Sequence, residues 1–270
     1  MPSGTGGIIE KLLNLPIRLE THALTVTVGR VLVCQQLNLA LTTGQCWGLL
    51  GGNGVGKTTL LHTLAGLRVP YAGTVWLEGQ PLDKQNRRTI GQRLALLPQE
   101  AGDAFPATVL ETALVGRYPY LGPWRWEGAA DYQRAQEALI QVGLGDLADR
   151  PVATLSGGER ARLRLATFLV QDTPVGLLDE PTNHLDVGHQ VRLLTLLRER
   201  NQIQGGTLLM ALHEVNLAAR YCDHCLLLYG DGAVEMGPTA QVLTVPNLER
   251  LYHHPVTAIA APWGQGWLPT

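Results

Sequence analysis

A glycine-rich stretch between an apolar run and a helical pattern constrains the fold of this chain more than any other feature. Residues 46–50, CWGLL, are nearly all apolar, which is typical of a central parallel strand buried on both faces. The next residues fit GxxxxGK[ST] and lead into a helical pattern that runs to Gly66. A strand, a loop and a helix in this order predict an α/β domain whose loop amides surround phosphate oxygens.

Each residue type in this stretch has a chemical role. Glycines let backbone N–H groups close around phosphate oxygens, and Lys57 adds a positive charge at the β and γ phosphates. The Thr58 hydroxyl can ligate Mg²⁺. We therefore predict a nucleotide site with Mg²⁺ in this loop. The predicted nucleotide-binding residues are Gly51, Gly52, Asn53, Gly54, Val55, Gly56, Lys57, Thr58 and Thr59.

Two adjacent acids end a second apolar run. Residues 175–178, VGLL, predict a buried strand, and Asp179 and Glu180 follow at its carboxyl end, where open α/β sheets bind their ligands. Asp179 can hold Mg²⁺ through the water shell of the ion. Glu180 points differently along the pleat and can orient or deprotonate an attacking water molecule.

The segment Leu155-Ser156-Gly157-Gly158-Glu159 has two compatible interpretations. Ser156 and Glu159 have the S-x-x-E spacing of a capping box, which predicts a helix over residues 158–170. A helix start with two glycines also exposes N–H donors and the positive end of the helix dipole, so it is a candidate second anion site.

These motifs, in this order, resemble those of the ATP-binding cassette (ABC) ATPases over most of the chain. The resemblance implies that Gln99 senses Mg²⁺ and the transporter, that His213 lies at the γ phosphate, and that Asp186 belongs to the D-loop. It also implies a head-to-tail dimer, in which residues 155–159 face the ATP held by Lys57 of a second copy. The implied catalytic residues are Glu180, His213, Lys57 and Gln99, and the implied Mg²⁺ residues are Thr58, Gln99 and Asp179.

A smaller resemblance concerns the transport system. Residues 112–119, TALVGRYP, look like the ATPases of iron-siderophore, haem and vitamin B12 importers. This implies integral-membrane permease subunits as partners, a substrate-binding protein as an indirect partner, and a peripheral position on the cytoplasmic face of the inner membrane. Residues 116–126 concentrate aromatics and arginines, which are frequent at interfaces but also pack internally. An exporter ATPase and a soluble ABC ATPase are the alternatives.

The expected fold is a P-loop NTPase (RecA-like) core of mostly parallel sheet, with an N-terminal antiparallel β portion and an inserted α-helical subdomain. Turn residues separate short strands in residues 22–50, and helical patterns with Gly/Pro-rich joints fill about residues 100–165. We expect one domain over residues 20–240, an N-terminal extension over 1–19, and a tail over 241–270. In the tail, we expect a short helical region followed by irregular chain.

Composition limits the remaining function classes. The net charge of −2 and the pI near 6.4 argue against nucleic acid as a partner. We expect Arg160, Arg162 and Arg164 to form a solvated helix face, and Cys222 and Cys225 to pack as small apolar residues. No run approaches the ~18 apolar residues of a membrane-spanning helix, which predicts a cytosolic chain.

One expected aromatic residue is absent from the sequence. ABC ATPases place an aromatic residue on the first strand, where it stacks on adenine. Here the corresponding segment is VTVG, residues 26–29, and the first aromatic residue is Trp47. We expect Val28 to occupy that place and to weaken base stacking.

Overall fold

The computed structural model describes residues 16–99 and 106–270. Within these residues, a six-stranded sheet with the order β11-β10-β4-β9-β8-β7 forms the centre. Neighbouring strands from β10 to β7 are parallel, and β11 is antiparallel at one edge. The strands are β4 (Cys46–Gly51), β7 (Leu94–Leu97), β8 (Val175–Asp179), β9 (Thr207–Ala211), β10 (His224–Leu228) and β11 (Val234–Pro238).

Both faces of this sheet are buried, as the apolar run in β4 predicts. Along β4, Cys46 and Leu50 face one hydrophobic cluster, whereas Trp47 and Leu49 face the other. Because side chains alternate along a strand, one short apolar run supplies both layers of the core.

A smaller antiparallel sheet packs against one of these layers and confirms the expected N-terminal β portion. Its strands follow the order β2-β1-β5-β6, and β3 also pairs with β1. They are β1 (Ile17–Val28), β2 (Val31–Leu37), β3 (Ala40–Thr42), β5 (Ala72–Leu77) and β6 (Gln80–Pro81). Residues 1–15 of the expected extension lie outside the described residues.

Helices pack on both faces of the central sheet. The helix after the phosphate loop and the short helix before β7 share the layer of the antiparallel sheet, and the later helices pack in the opposite layer. The first two helices, α1 and α2, belong to the α/β core. The region after β7 contains α3, a 3₁₀ segment (Val115–Tyr120), α4 and α5, as the helical insertion predicts; residues 100–105 of that insertion are not described. The helices are α1 (Lys57–Leu64), α2 (Arg87–Arg93), α3 (Val109–Leu114), α4 (Ala129–Gln141), α5 (Gly157–Gln171), α6 (Val187–Gln204) and α7 (Val215–Tyr221).

Two salt bridges of Asp172 join the helical region to the core. Asp172 ends α5 with a φ of 54° and accepts hydrogen bonds from Arg134 of α4 at 2.8 Å and from Arg200 of α6 at 2.6 Å. Burial alone raises the pKa of Asp172, but Arg200 and Arg134 outweigh it and hold the pKa below its usual value. One carboxylate therefore links two helices that are distant in sequence.

The end of the chain differs from the expectation. After α8 (Thr239–Val242) and α9 (Val245–Tyr252), residues 256–269 form an antiparallel hairpin of β12 (Val256–Ala261) and β13 (Gly264–Pro269), so the prediction of irregular chain is wrong. The Asn216 side chain of α7 donates to Trp267 O at 3.0 Å and accepts from Trp267 N at 2.8 Å. Trp267 is 3% exposed, so burial of an aromatic side chain against the core orders this hairpin.

Candidate active site

The loop between β4 and α1 uses glycine in conformations that other residues avoid. Gly54 and Gly56 have φ angles of 77° and 104°. A Cβ atom at Gly56 would also collide with the Val33 side chain. The chain can therefore close this loop only with glycine there, and α1 begins directly afterwards at Lys57.

The Lys57 side chain lies against this loop. Its Nζ donates to Gly51 O at 2.9 Å and to Gly52 O at 3.1 Å, and the residue is 5% exposed. Burial lowers the pKa of Lys57, and the nearby Glu180 and Asp179 carboxylates oppose this effect. The fold thus places one ammonium near two acids from the end of β8.

Asp179 has the environment of a cation ligand. It is 1% exposed, and among the described residues neither carboxylate oxygen has a hydrogen-bond partner of normal geometry. Burial raises the pKa of Asp179, and the neighbouring Thr58 hydroxyl opposes this rise. A buried carboxylate beside a hydroxyl supplies the oxygen ligands that Mg²⁺ prefers, so these two residues fit the ion.

Glu180 is held from several directions. Its φ of 52° is uncommon for a residue other than glycine, and its N–H donates to Ala211 O of β9 at 3.2 Å. His213 Nε2 lies 2.5 Å from Oε1, and Gln99 Nε2 donates to Oε2 at 2.6 Å. Asn183 Nδ2 donates to the same Oε2. Three side chains from separate loops therefore converge on this carboxylate.

A cleft of about 660 Å³ brings together the four predicted catalytic residues and five further residues of the phosphate loop, and its volume is within the range of small-molecule sites. Val28 of β1 lines this cleft. This is the residue that we expect in place of the adenine-stacking aromatic residue. The residues that line the cleft are Val28, Asn53, Gly54, Gly56, Lys57, Thr58, Thr59, Gln99, Glu180 and His213.

The LSGGE segment does not line this cleft. Ser156 caps α5, its hydroxyl accepts from Glu159 N at 3.3 Å, and Glu159 Oε2 accepts from Ser156 N at 2.7 Å, so the predicted capping box is present. The Ser156 N–H lowers the pKa of Glu159. Asp186 does not line the cleft either. It caps α6 and contacts His189 Nδ1 at 2.7 Å. Within one copy of the chain, these segments therefore lie outside the cleft that contains Lys57.

The three arginines that follow LSGGE are not simply a solvated face, and that interpretation is wrong. Arg160 donates to Leu155 O and Ala153 O, and Arg162 donates to Val142 O and Gly143 O. Alternate positions on a helix point in different directions, so each guanidinium meets a different set of loop carbonyls.

The third of these arginines reaches the loop after β7. Arg164 Nη1 donates to Gln99 O at 2.6 Å. This bond links the helix that begins with LSGGE to a residue that contacts Glu180. Such a contact joins elements 65 residues apart, so helical periodicity alone does not predict it.

The cysteines pack as expected. Cys34, Cys46, Cys222 and Cys225 are buried free thiols. Burial raises the pKa of Cys34 to about 11, and it also raises that of Cys225 to about 11.

Several large side chains are exposed on two segments, residues 69–71 and 118–126. Residues 69 and 71 line a groove with Arg87 and Ile90 of α2. On the other side, Arg88 donates to Pro119 O and Tyr120 O. We call the exposed side chains on these two segments the aromatic surface: Val69 (93% exposed), Tyr71 (78%), Tyr118 (61%), Trp124 (99%) and Trp126 (88%).

The sequence that forms this site is similar to that of known proteins. A family model described as ABC transporter matches residues 34–183, which include the phosphate loop, LSGGE and Glu180. The chain belongs to the ABC transporter family. The achromobactin transport ATP-binding protein of Dickeya dadantii is 38% identical over 256 residues, covering 92% of this chain and 95% of that protein. The hemin import ATP-binding protein of Nocardia farcinica is 40% identical over 230 residues, covering 85% of this chain and 79% of that protein.

Solved structures of ABC proteins agree with this assignment. An inward-facing structure of a metal-chelate type ABC transporter has a TM-score of 0.81 and 30% identity, and the match covers 94% of this chain and 98% of that one. A dimeric ATP-binding cassette bound to ADP and phosphate shares the fold, with a TM-score of 0.72 and 24% identity over 82% of this chain and 98% of that one. This ABC cassette is therefore an ATP-binding chain with the ATPase fold.

No helix in the described part of the ABC cassette is long and apolar enough to cross a membrane.

Proposed function

We propose that this ABC cassette hydrolyses ATP in the cleft and uses the reaction to drive a membrane permease. The observation that carries the proposal is the convergence of Lys57, Glu180 and His213 on one cleft at the carboxyl ends of the parallel strands. These are the residue types that hydrolysis of a phosphoanhydride requires: a cation for the phosphates, a base for water, and a donor for the developing charge.

In this mechanism, Lys57 and the loop amides hold the triphosphate. Thr58 and Asp179, with Gln99 as the family resemblance implies, would hold Mg²⁺, which would supply positive charge to the triphosphate. Glu180 accepts a proton from water as the water oxygen bonds to the γ phosphorus. The bond from that phosphorus to the bridging oxygen breaks and releases ADP and phosphate. His213 donates to the γ phosphate as charge redistributes.

A malachite-green assay of the purified chain tests this activity. The expected result is phosphate release that depends on ATP and Mg²⁺ and falls by about 10²–10⁴ in Glu180→Gln, the usual contribution of a general base. A matched control is Glu235→Gln, an exposed residue of the same type on strand β11. Equal rates for the wild-type chain and Glu180→Gln would contradict the role of Glu180.

We also propose that the complete site needs two copies of the chain. The LSGGE segment lies outside the cleft of its own chain, and its helix start offers N–H donors to an anion. A head-to-tail dimer supplies these donors to ATP held by Lys57 of the other copy.

Mixing two inactive variants tests the dimer. Lys57→Ala damages the phosphate loop and Ser156→Arg blocks the LSGGE surface, so neither homodimer has a complete site. A mixed dimer retains one complete site, and we expect an equal mixture to recover roughly a quarter of the wild-type rate if chains exchange freely and each complete site works independently. No recovery in chains shown to exchange would contradict the two-copy site.

The partner is proposed to be an integral-membrane permease for import of a metal chelate. Relatives over most of the chain are named for transport of achromobactin, ferric enterobactin and hemin. The aromatic surface supports a protein partner, because exposed Trp and Tyr beside arginines are typical of interface anchors. This partner would hold the cassette on the cytoplasmic face of the membrane.

Co-purification with a metal-chelate permease tests the surface. We expect Trp124→Ala with Trp126→Ala to reduce recovery of the complex at least tenfold, since central aromatic anchors contribute about 2 kcal/mol or more each. The control is Ile203→Ala, which removes an 85% exposed apolar side chain from α6. Unchanged recovery for the double tryptophan variant would contradict the proposed docking surface.

A further inference from the structure

Asn183 contacts Glu180 twice, although none of the sequence motifs assigns it a role in the site. Its backbone N–H donates to Glu180 O at 3.2 Å, which closes a turn after β8. Its side-chain Nδ2 donates to Glu180 Oε2. One residue therefore restrains both the backbone and the carboxylate of Glu180.

The turn that presents Asn183 is itself anchored. Thr182 is 6% exposed, and Gln190 of α6 donates to Thr182 O at 3.4 Å and to Leu185 O at 3.3 Å. The positive φ of Glu180 aims the chain into this turn. The turn is thus bonded to α6 on both sides of Asn183.

The other groups around Glu180 come from different loops. Gln99 shares Oε2 with Asn183, and His213 contacts Oε1. Lys57 and Asp179 are the nearby charged groups from α1 and β8. Of the two amides on Oε2, only Asn183 belongs to the same turn as Glu180, so it can hold the carboxylate throughout the reaction cycle.

We propose that Asn183 is a positioning residue that holds the Glu180 carboxylate in one orientation for attack by water. Gln99 and Asn183 both donate to Oε2, and His213 contacts Oε1, so the Asn183 bond helps to fix the rotation of the carboxylate about its own axis. The proposal rests on the ATP hydrolysis proposed above.

Two nearly isosteric substitutions separate position from charge. Asn183→Leu removes the donor, and Asn183→Asp replaces it with a second carboxylate beside Glu180. The matched control is Asn38→Asp, the same change at an exposed loop residue between β2 and β3. The kcat and KM for ATP of each variant are measured at pH 7.5.

We expect kcat to fall about 10- to 100-fold in both Asn183 variants with little change in KM, because displacement of a catalytic group by about 1 Å costs up to ~10². Asn38→Asp is expected to keep the wild-type kcat. A wild-type kcat for Asn183→Asp, or a loss that appears only in KM, would overturn the proposal.

A double-mutant cycle shows whether Asn183 acts through Glu180. In a Glu180→Gln background, Asn183→Leu is expected to cause no further loss of the residual rate. A full additional 10- to 100-fold loss would mean that Asn183 acts independently of Glu180 and would overturn its positioning role.

A measurement without ATP separates this proposal from the activity itself. The melting temperature of Asn183→Asp at pH 7.5 is expected to fall below that of wild type, because a carboxylate replaces the amide that donates to Glu180 Oε2. Asn38→Asp, at an exposed loop residue, is expected to lower it less. A melting temperature of Asn183→Asp equal to that of wild type would contradict the contact, whereas an inactive wild-type chain would contradict only the proposed hydrolysis.

Discussion

The two salt bridges of Asp172 give the most detailed prediction for stability. Asp172→Asn keeps the shape of the side chain and also tolerates the φ of 54°, because asparagine readily adopts the left-handed region. It removes the charge that Arg134 and Arg200 contact at 2.8 and 2.6 Å. The change therefore tests the ionic interaction with little added backbone strain.

The geometry sets the expected magnitude. The Asp172 side chain is 32% exposed, so each contact falls between a surface ion pair of about 0–1 kcal/mol and a charge-assisted hydrogen bond of about 1.5–3 kcal/mol. About 1 kcal/mol for each arginine gives a total of about 2 kcal/mol. At about 2–4 °C per kcal/mol for a domain of this size, the melting temperature should fall by about 4–8 °C.

Differential scanning calorimetry of Asp172→Asn against wild type at pH 7 measures this change. The control is Asp231→Asn, which breaks the exposed ion pair with Arg250 and is expected to leave the melting temperature unchanged. The pKa of Asp172 is lowered in the folded chain, so its contribution is present above the unfolded pKa and is lost as the pH falls through the folded value. The difference between wild type and Asp172→Asn should therefore shrink below about pH 4. A loss under 1 °C at pH 7, or a difference that persists at low pH, would refute the reasoning.

Three further predictions concern other parts of the chain. Val28→Tyr should tighten ATP binding by about 1–3 kcal/mol through base stacking, measured by isothermal titration calorimetry, and no tightening would count against the assignment of Val28. The native chain should not react with Ellman's reagent at pH 8, whereas the denatured chain should show all four thiols, because burial suppresses the thiolate; rapid labelling of the native chain would be inconsistent with this packing. Asn216→Ala removes two bonds to Trp267 and should cost about 1–3 kcal/mol of unfolding free energy in a urea titration, with earlier proteolysis of the terminal hairpin; unchanged stability would show that Asn216 does not hold it.

Local sequence signals predict the central sheet and the phosphate loop well, because they depend on short-range patterns. The run from Cys46 to Leu50 is continuous and apolar, and Gly54 and Gly56 are required by backbone angles that the loop itself imposes. The same is true of the capping box at Ser156, whose bonds span three residues. Such features depend little on the rest of the fold.

Features that depend on distant contacts are not visible in the sequence. The terminal hairpin is ordered by Trp267 against α7, and the role of Arg164 appears only when α5 meets the loop at Gln99. These two contacts arise from packing of elements that are separated in the chain. The Asn183 side chain is a different case, because it lies three residues from Glu180, yet nothing in the motif shows that its amide turns back to that carboxylate.

The most direct test of the proposed function is the steady-state release of phosphate from ATP by the purified wild-type chain and by Glu180→Gln, measured side by side with bound nucleotide. We predict hydrolysis by the wild-type chain, a loss of about 10²–10⁴ in the variant, and undiminished ATP binding in both, because Lys57 and its loop are intact. Hydrolysis by Glu180→Gln at the wild-type rate would contradict the account of the site.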